Sequence, residues 1–133
     1  MISTLLLCAC SGHTSSFHIA KYRNKWVFIN YWATWCESCK LEIPALNAFA
    51  KQHSKNVVVL GVNYDNLQGD ALKQAIQKMH ITFKVLKADP GECLKLETVN
   101  VVPTTFVFAP QGHWVATLVG PQNQHSLTKI IHP

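Results

Sequence analysis

Two cysteines three positions apart, Cys36 and Cys39, stand in the stretch YWATWCESCKLEIP, Tyr31 to Pro44. A C-x-x-C pair serves three common chemistries. A structural zinc site needs four ligands, and no second C-x-x-C completes the set. A c-type haem attachment needs histidine directly after the second cysteine, and that residue is Lys40. Thiol–disulfide exchange remains, and a β-α-β context is where such a pair is expected. No metal and no bound cofactor is therefore expected. The Cys36–Cys39 disulfide itself would carry the electrons.

The placement of the pair follows from that chemistry. Cys36 comes straight after an apolar run and should sit where a helix begins. Unpaired N–H groups and the helix dipole there favour thiolate over thiol, and thiolate is the form that attacks a disulfide. Cys39 lies one turn further on and deeper. It can strike the mixed disulfide once Cys36 has formed it. Cys36 is thus the expected nucleophile and Cys39 the resolving thiol; an inert buried pair is the alternative.

The surrounding elements must hold this arrangement. KWVFINYW (25–32) is apolar and rich in β-branched and aromatic residues, so it reads as a buried strand. From Cys36 to about Lys51, Leu41, Ile43, Leu46, Phe49 and Ala50 recur at helical spacing, with Pro44 expected to kink the helix. NVVVLGVNY (56–64) reads as a second buried strand and residues 69–79 as an amphipathic helix. ITFKVLKAD (81–89) reads as a third strand closed by the turn signal DPG, with a short helix expected over 93–98. PTTFVF (103–108) and HWVATLVG (113–120), joined by APQG, predict an antiparallel hairpin, and 124–132 a final helix. The predicted order is β-α-β-α-β-α-β-β-α around a mixed sheet covered on both sides.

VVPTTF (101–106) adds an independent signal. Proline opening a strand can be only an edge feature. Beside a C-x-x-C in this order of elements, it points to a cis Val102–Pro103 bond. That bond would present the Val102 backbone for pairing with an extended substrate segment.

Together, WATWCESCKLEIP and VVPTTFVF resemble the thioredoxin-fold family, and most closely its TlpA/ResA branch of extracytoplasmic thiol–disulfide oxidoreductases. The resemblance covers about 17–133 and implies a thioredoxin-like three-layer α/β/α sandwich with a mixed central sheet. It implies Cys36 and Cys39 as the redox pair and Pro103 as the cis-proline. Asn30 stands where thioredoxin carries a buried aspartate, as is common in the branch, and an amide cannot serve as a base. Glu42, one turn after Cys39, matches a functional glutamate of ResA-like reductases. Partly buried, it could take the proton from Cys39, and its charge would raise the thiol pKa values; a solvated helix carboxylate is the alternative. Trp35 would shield the disulfide and meet substrate together with Val102 and Pro103. Glu37 and Ser38 fill the two slots that tune redox potential. Cys93 is expected as a buried structural thiol.

The totals narrow the function classes. Of 133 residues, 48% are hydrophobic and 14% charged, which suits one packed domain and not a disordered chain. Lys and Arg exceed Asp and Glu by 12 to 7, but they are scattered and accompany no groove-entering motif, so nucleic acid is not the expected partner. MISTLLLCACSGHTSS (1–16) reads as a signal- or lipoprotein-like segment, with Cys10 the candidate lipid anchor and 17–133 the domain. The expected function is reduction of protein disulfides in the periplasm, for example in apocytochrome c, by a monomer re-reduced by a membrane thiol–disulfide donor. A disulfide oxidant or isomerase using the same residues, or a non-catalytic binding module, are the alternatives. Potentials of such pairs span about 150 mV, roughly 7 kcal/mol, which decides direction.

Overall fold

The computed structural model describes residues 17–132. The expected leader over 1–16 and the candidate anchor Cys10 lie outside them. A 3₁₀ turn, η1 (Ile19–Tyr22), precedes β1 (Trp26–Trp32), α1 (Glu37–Gln52), β2 (Val57–Asn63), α2 (Gly69–Lys78), β3 (Lys84–Val85), β4 (Thr104–Phe108), β5 (Trp114–Val119) and α3 (Gln124–Ile131). The sheet runs β3-β2-β1-β4-β5. β1 pairs in parallel with β2 and antiparallel with β4, and β4 pairs antiparallel with β5. This is the mixed five-stranded sheet of a thioredoxin-like α/β fold.

β1 is central because both of its faces are apolar, and six of its seven residues are buried. Phe28 and Trp32 face a cluster with Leu46 and Phe49 of α1, Leu72 and Ala75 of α2, and Leu127 and Ile131 of α3. Val27, Ile29 and Tyr31 face the other way, against Phe106 and Phe108 and under Phe17, Ile19, Leu94 and Leu96. This alternation is the two-residue period of a strand buried on both sides.

Two expected elements differ. Residues 93–98 form a turn, over 93–95, followed by irregular chain rather than a helix. Lys95 adopts φ 54°, a left-handed conformation that interrupts a helix, and the local bonds are isolated turn bonds such as Leu96 N–H to Gly91 O. The second face of the sheet is therefore covered by η1 and turns, and all three α-helices contribute to the first. The third strand shrinks from 81–89 to two paired residues, Lys84 and Val85 against Leu60 and Gly61. Asn47 of α1 takes the Thr82 N–H on its side-chain oxygen, away from the ladder.

α1 runs unbroken through Pro44. Its buried residues are Cys39, Glu42, Ile43, Leu46 and Phe49, a spacing of three and four. Leu41, expected on that face from hydrophobicity, points to solvent at 79% exposure, and Glu42 takes the inward position. Helix geometry fixes this: at about 100° per residue, position 41 falls about 140° round from the centre of the stripe formed by Cys39, Glu42, Ile43, Leu46 and Phe49, on the far side of the helix.

Candidate redox site

Cys36 is the N-cap of α1, at the point where the chain leaves β1. Its Sγ accepts the Cys39 backbone N–H at 3.1 Å, one of the N–H groups a helix start leaves without an intrahelical partner. The two sulfurs are joined as a disulfide, and the Cα atoms are 5.3 Å apart. Cys36 retains slight exposure and Cys39 almost none, 6% against 1%. Cys36 is thus the less buried of the two.

The proline loop closes over this sulfur. The Val102–Pro103 bond is cis, and the Val102 carbonyl oxygen lies 3.5 Å from Cys36 Sγ. Pro103 is buried, and its own carbonyl accepts the Gly120 N–H at 2.8 Å, which ties the loop to the end of β5. Val101, directly before Val102, is 54% exposed.

Trp35 stands 60% exposed immediately before Cys36. It is held by the chain that follows β2: its indole Nε1–H donates to Asp65 Oδ2 at 2.8 Å, and the Tyr64 ring meets it edge-on at 6.1 Å. Tyr64 in turn borders a cavity of about 300 Å³ walled by Tyr31, Asp89 and Glu92. The Tyr31 hydroxyl donates to Asp89, and burial chiefly, then this carboxylate, pushes the phenol pKa up. Between the cysteines, Glu37 is exposed and paired with Lys40 at 2.8 Å, so the cation offsets its charge beside the pair. Ser38 is half-buried.

Glu42 is 1% exposed, so a solvated helix carboxylate is excluded. Its Oε1 accepts from Asn30 Nδ2 at 2.7 Å and its Oε2 from the Gln122 backbone N–H at 2.8 Å. Asn30 Nδ2 also donates to Thr105 Oγ1 at 3.0 Å. Burial raises the Glu42 pKa to about 7, against the opposing pull of the Gln122 and Asn30 donors. The carboxyl therefore changes protonation near neutral pH, one turn beyond the inner cysteine. Cys93 is buried and disulfide-bonded, where a free structural thiol was expected.

The structure brings Cys36, Cys39, Trp35, Val102 and Pro103 together, with Glu42 beneath on the α1 face that carries Cys39. Sequence reasoning missed Asp65, Tyr64, Thr105 and Gln122. Asp65 and Tyr64 follow a strand that ends level with β1, since Trp32 pairs with Asn63, and that register was the one available signal.

Residues 6–116 match the model of the AhpC/TSA family. The thiol-disulfide oxidoreductase ResA of Bacillus thuringiensis subsp. konkukian is 28% identical over 111 residues, which cover 83% of this chain and 64% of that protein. The chain thus spans less than two thirds of that relative's length. Among solved structures, StoA from Bacillus subtilis superposes with a TM-score of 0.66 at 25% identity, over 80% of this chain and 82% of that one. A thiol:disulfide interchange protein of the thioredoxin family from Chlorobium tepidum gives 0.68 at 26%, over 87% and 83%.

Proposed function

The chain belongs to the AhpC/TSA family, and on that footing we propose that it is a thiol–disulfide oxidoreductase that reduces protein disulfides outside the cytoplasm. One observation carries this: a cysteine at a helix N-cap, bonded to a more deeply buried cysteine one turn on, with its sulfur facing a backbone carbonyl at 3.5 Å. The named ResA relative supports the same chemistry.

In the reductive direction the pair begins as two thiols. The Cys36 thiolate, favoured by the Cys39 N–H and the helix start, attacks one sulfur of a substrate disulfide. The other substrate sulfur leaves as thiolate and takes a proton from solvent. The extended substrate segment lies along Val102 and against Trp35, and Pro103 offers no N–H to compete. Cys39 then gives its proton to Glu42, attacks Cys36 Sγ and releases the second substrate thiolate. The substrate disulfide has gained two electrons, and the pair is left as the disulfide. No further cofactor enters. A thiol–disulfide donor at the membrane restores the dithiol. Glu37 and Ser38 tune the potential, with Glu37 weakened by its contact with Lys40. Apocytochrome c is the substrate class proposed.

Insulin reduction by dithiothreitol tests the activity: the chain should accelerate it and Cys36→Ser should not. Equal rates would leave a binding module. A reductant's potential should lie at about −270 mV, and a value of about −120 mV would reassign the chain as an oxidant.

A further inference from the structure

Both oxygens of Glu42 face hydrogen-bond donors, Asn30 Nδ2 and the Gln122 N–H. This suits a carboxylate, which only accepts. It does not suit the carboxylic acid. A proton placed on either oxygen along these bonds would confront another N–H. The Gln122 donor is backbone and fixed by its loop, whereas Asn30 is a side-chain amide with a donor end and an acceptor end.

Asn30 is fully buried on the face of β1 that meets α1. Both hydrogens of its Nδ2 are used, one on Glu42 Oε1 and one on Thr105 Oγ1. Its Oδ1 has no partner among the described residues. A buried acceptor without a donor is costly, and the amide accepts that cost to direct two N–H groups at its neighbours. Thr105 is also fully buried, and its hydroxyl can accept or donate.

We propose that the Asn30 carboxamide turns over when Glu42 takes up a proton, donating two hydrogen bonds in one state and accepting two in the other. After the turn, Oδ1 accepts the Glu42 O–H and the Thr105 O–H, and Nδ2 becomes the end without a partner. The two states contain the same number of hydrogen bonds. The amide thereby lets a site built for a carboxylate also hold the acid, so the carboxyl can receive a proton and return it. Asn30 and Thr105 are positioning residues that act through Glu42.

Among the described residues, no other titrating side chain is hydrogen-bonded to this unit. Asn30, Thr105 and Gln122 do not ionise, and Cys39 of the same helix is held in the disulfide. His125 and Lys129 of α3 are exposed, as are Glu37, Lys40 and Lys51 of α1. The burial of Glu42, which raises its pKa to about 7, brings the change into the neutral range.

The proposal rests on the proton-handling role given to Glu42, and one experiment separates the two. The oxidised chain, uniformly labelled with ¹³C and ¹⁵N, is titrated from pH 5 to 9. The Glu42 side-chain carboxyl carbon reports ionisation, and the coupling across the hydrogen bond from Asn30 ¹⁵Nδ2 to that carbon reports amide orientation. The expected result is a carboxyl midpoint near 7, with the coupling present above it and lost below, and with the Asn30 NH₂ signals shifting at the same midpoint. A carboxyl that titrates while the coupling persists at both extremes overturns the amide turnover and leaves proton handling intact. Coupling absent at both extremes overturns the turnover as well. A carboxyl that does not titrate in this range overturns both.

Discussion

The Glu42 carboxylate accepts the Gln122 backbone N–H across 80 positions of sequence, pinning the second turn of α1 to the loop that leads into α3. This anchor lies one helical turn from the inner cysteine. It is a structural tie and also a titrating group.

That dual character gives stability a definite pH dependence. The folded Glu42 pKa, about 7, stands above the ordinary value of 4.5 because burial disfavours the charge. Between these two values the folded chain binds more protons than the unfolded chain, so stability falls as pH rises through the window and levels off above it. The loss attributable to Glu42 is about 3 kcal/mol. Denaturant unfolding of the oxidised chain at pH 5 and pH 8 checks this, with Glu42→Gln as the reference. The variant should lack that part of the slope, and identical slopes would place the ionisation elsewhere.

Asp65 is expected to govern contact with partners rather than cysteine chemistry, because among the described residues its carboxylate holds the exposed Trp35 indole. Asp65→Ala should lower kcat/KM toward a protein disulfide by about three- to tenfold, the worth of one hydrogen bond at a partly exposed site. Reduction of the Cys36–Cys39 disulfide by dithiothreitol should keep its rate. Equal losses in both assays would show that Trp35 acts on the sulfurs themselves.

Gly61 occupies a position in β2 where a side chain has no room. A Cβ there would stand 3.0 Å from both Phe83 Cε2 and Trp32 Nε1, and Trp32 is fully buried. Gly61→Ala should cost about 1–3 kcal/mol through overpacking. Thermal or denaturant unfolding measures the cost, and an unchanged midpoint would mean that Phe83 yields freely.

The contrast between what the sequence reveals and what it hides follows the range of the interactions. Cys36, Cys39 and the run Trp26–Trp32 were legible because their signals are local: a fixed spacing, a helix start, an unbroken apolar strand. From the residues alone the inward turn of Glu42 was masked by the neighbouring Leu41, which hydrophobicity would have buried, and only the family resemblance pointed to this glutamate. Its burial depends on Asn30 and Gln122 meeting it from two other segments, and the Gln122 contribution is a backbone N–H that no side-chain pattern encodes. The helix expected over 93–98 is absent because Leu94 and Leu96 fill the second face of the sheet on either side of a left-handed backbone at Lys95, which no local side-chain pattern encodes. Asp65 lies 30 residues from Trp35 and joins it only through the register of β1 and β2.

The division of labour between the two sulfurs is tested most directly by Cys39→Ser. In that variant Cys36 can attack but nothing can release it. Incubated with a disulfide-bonded protein such as insulin, it should accumulate a covalent adduct that mass spectrometry maps to Cys36 and that dithiothreitol dissolves. No adduct, or an adduct at any other residue, would contradict Cys36 as the nucleophile.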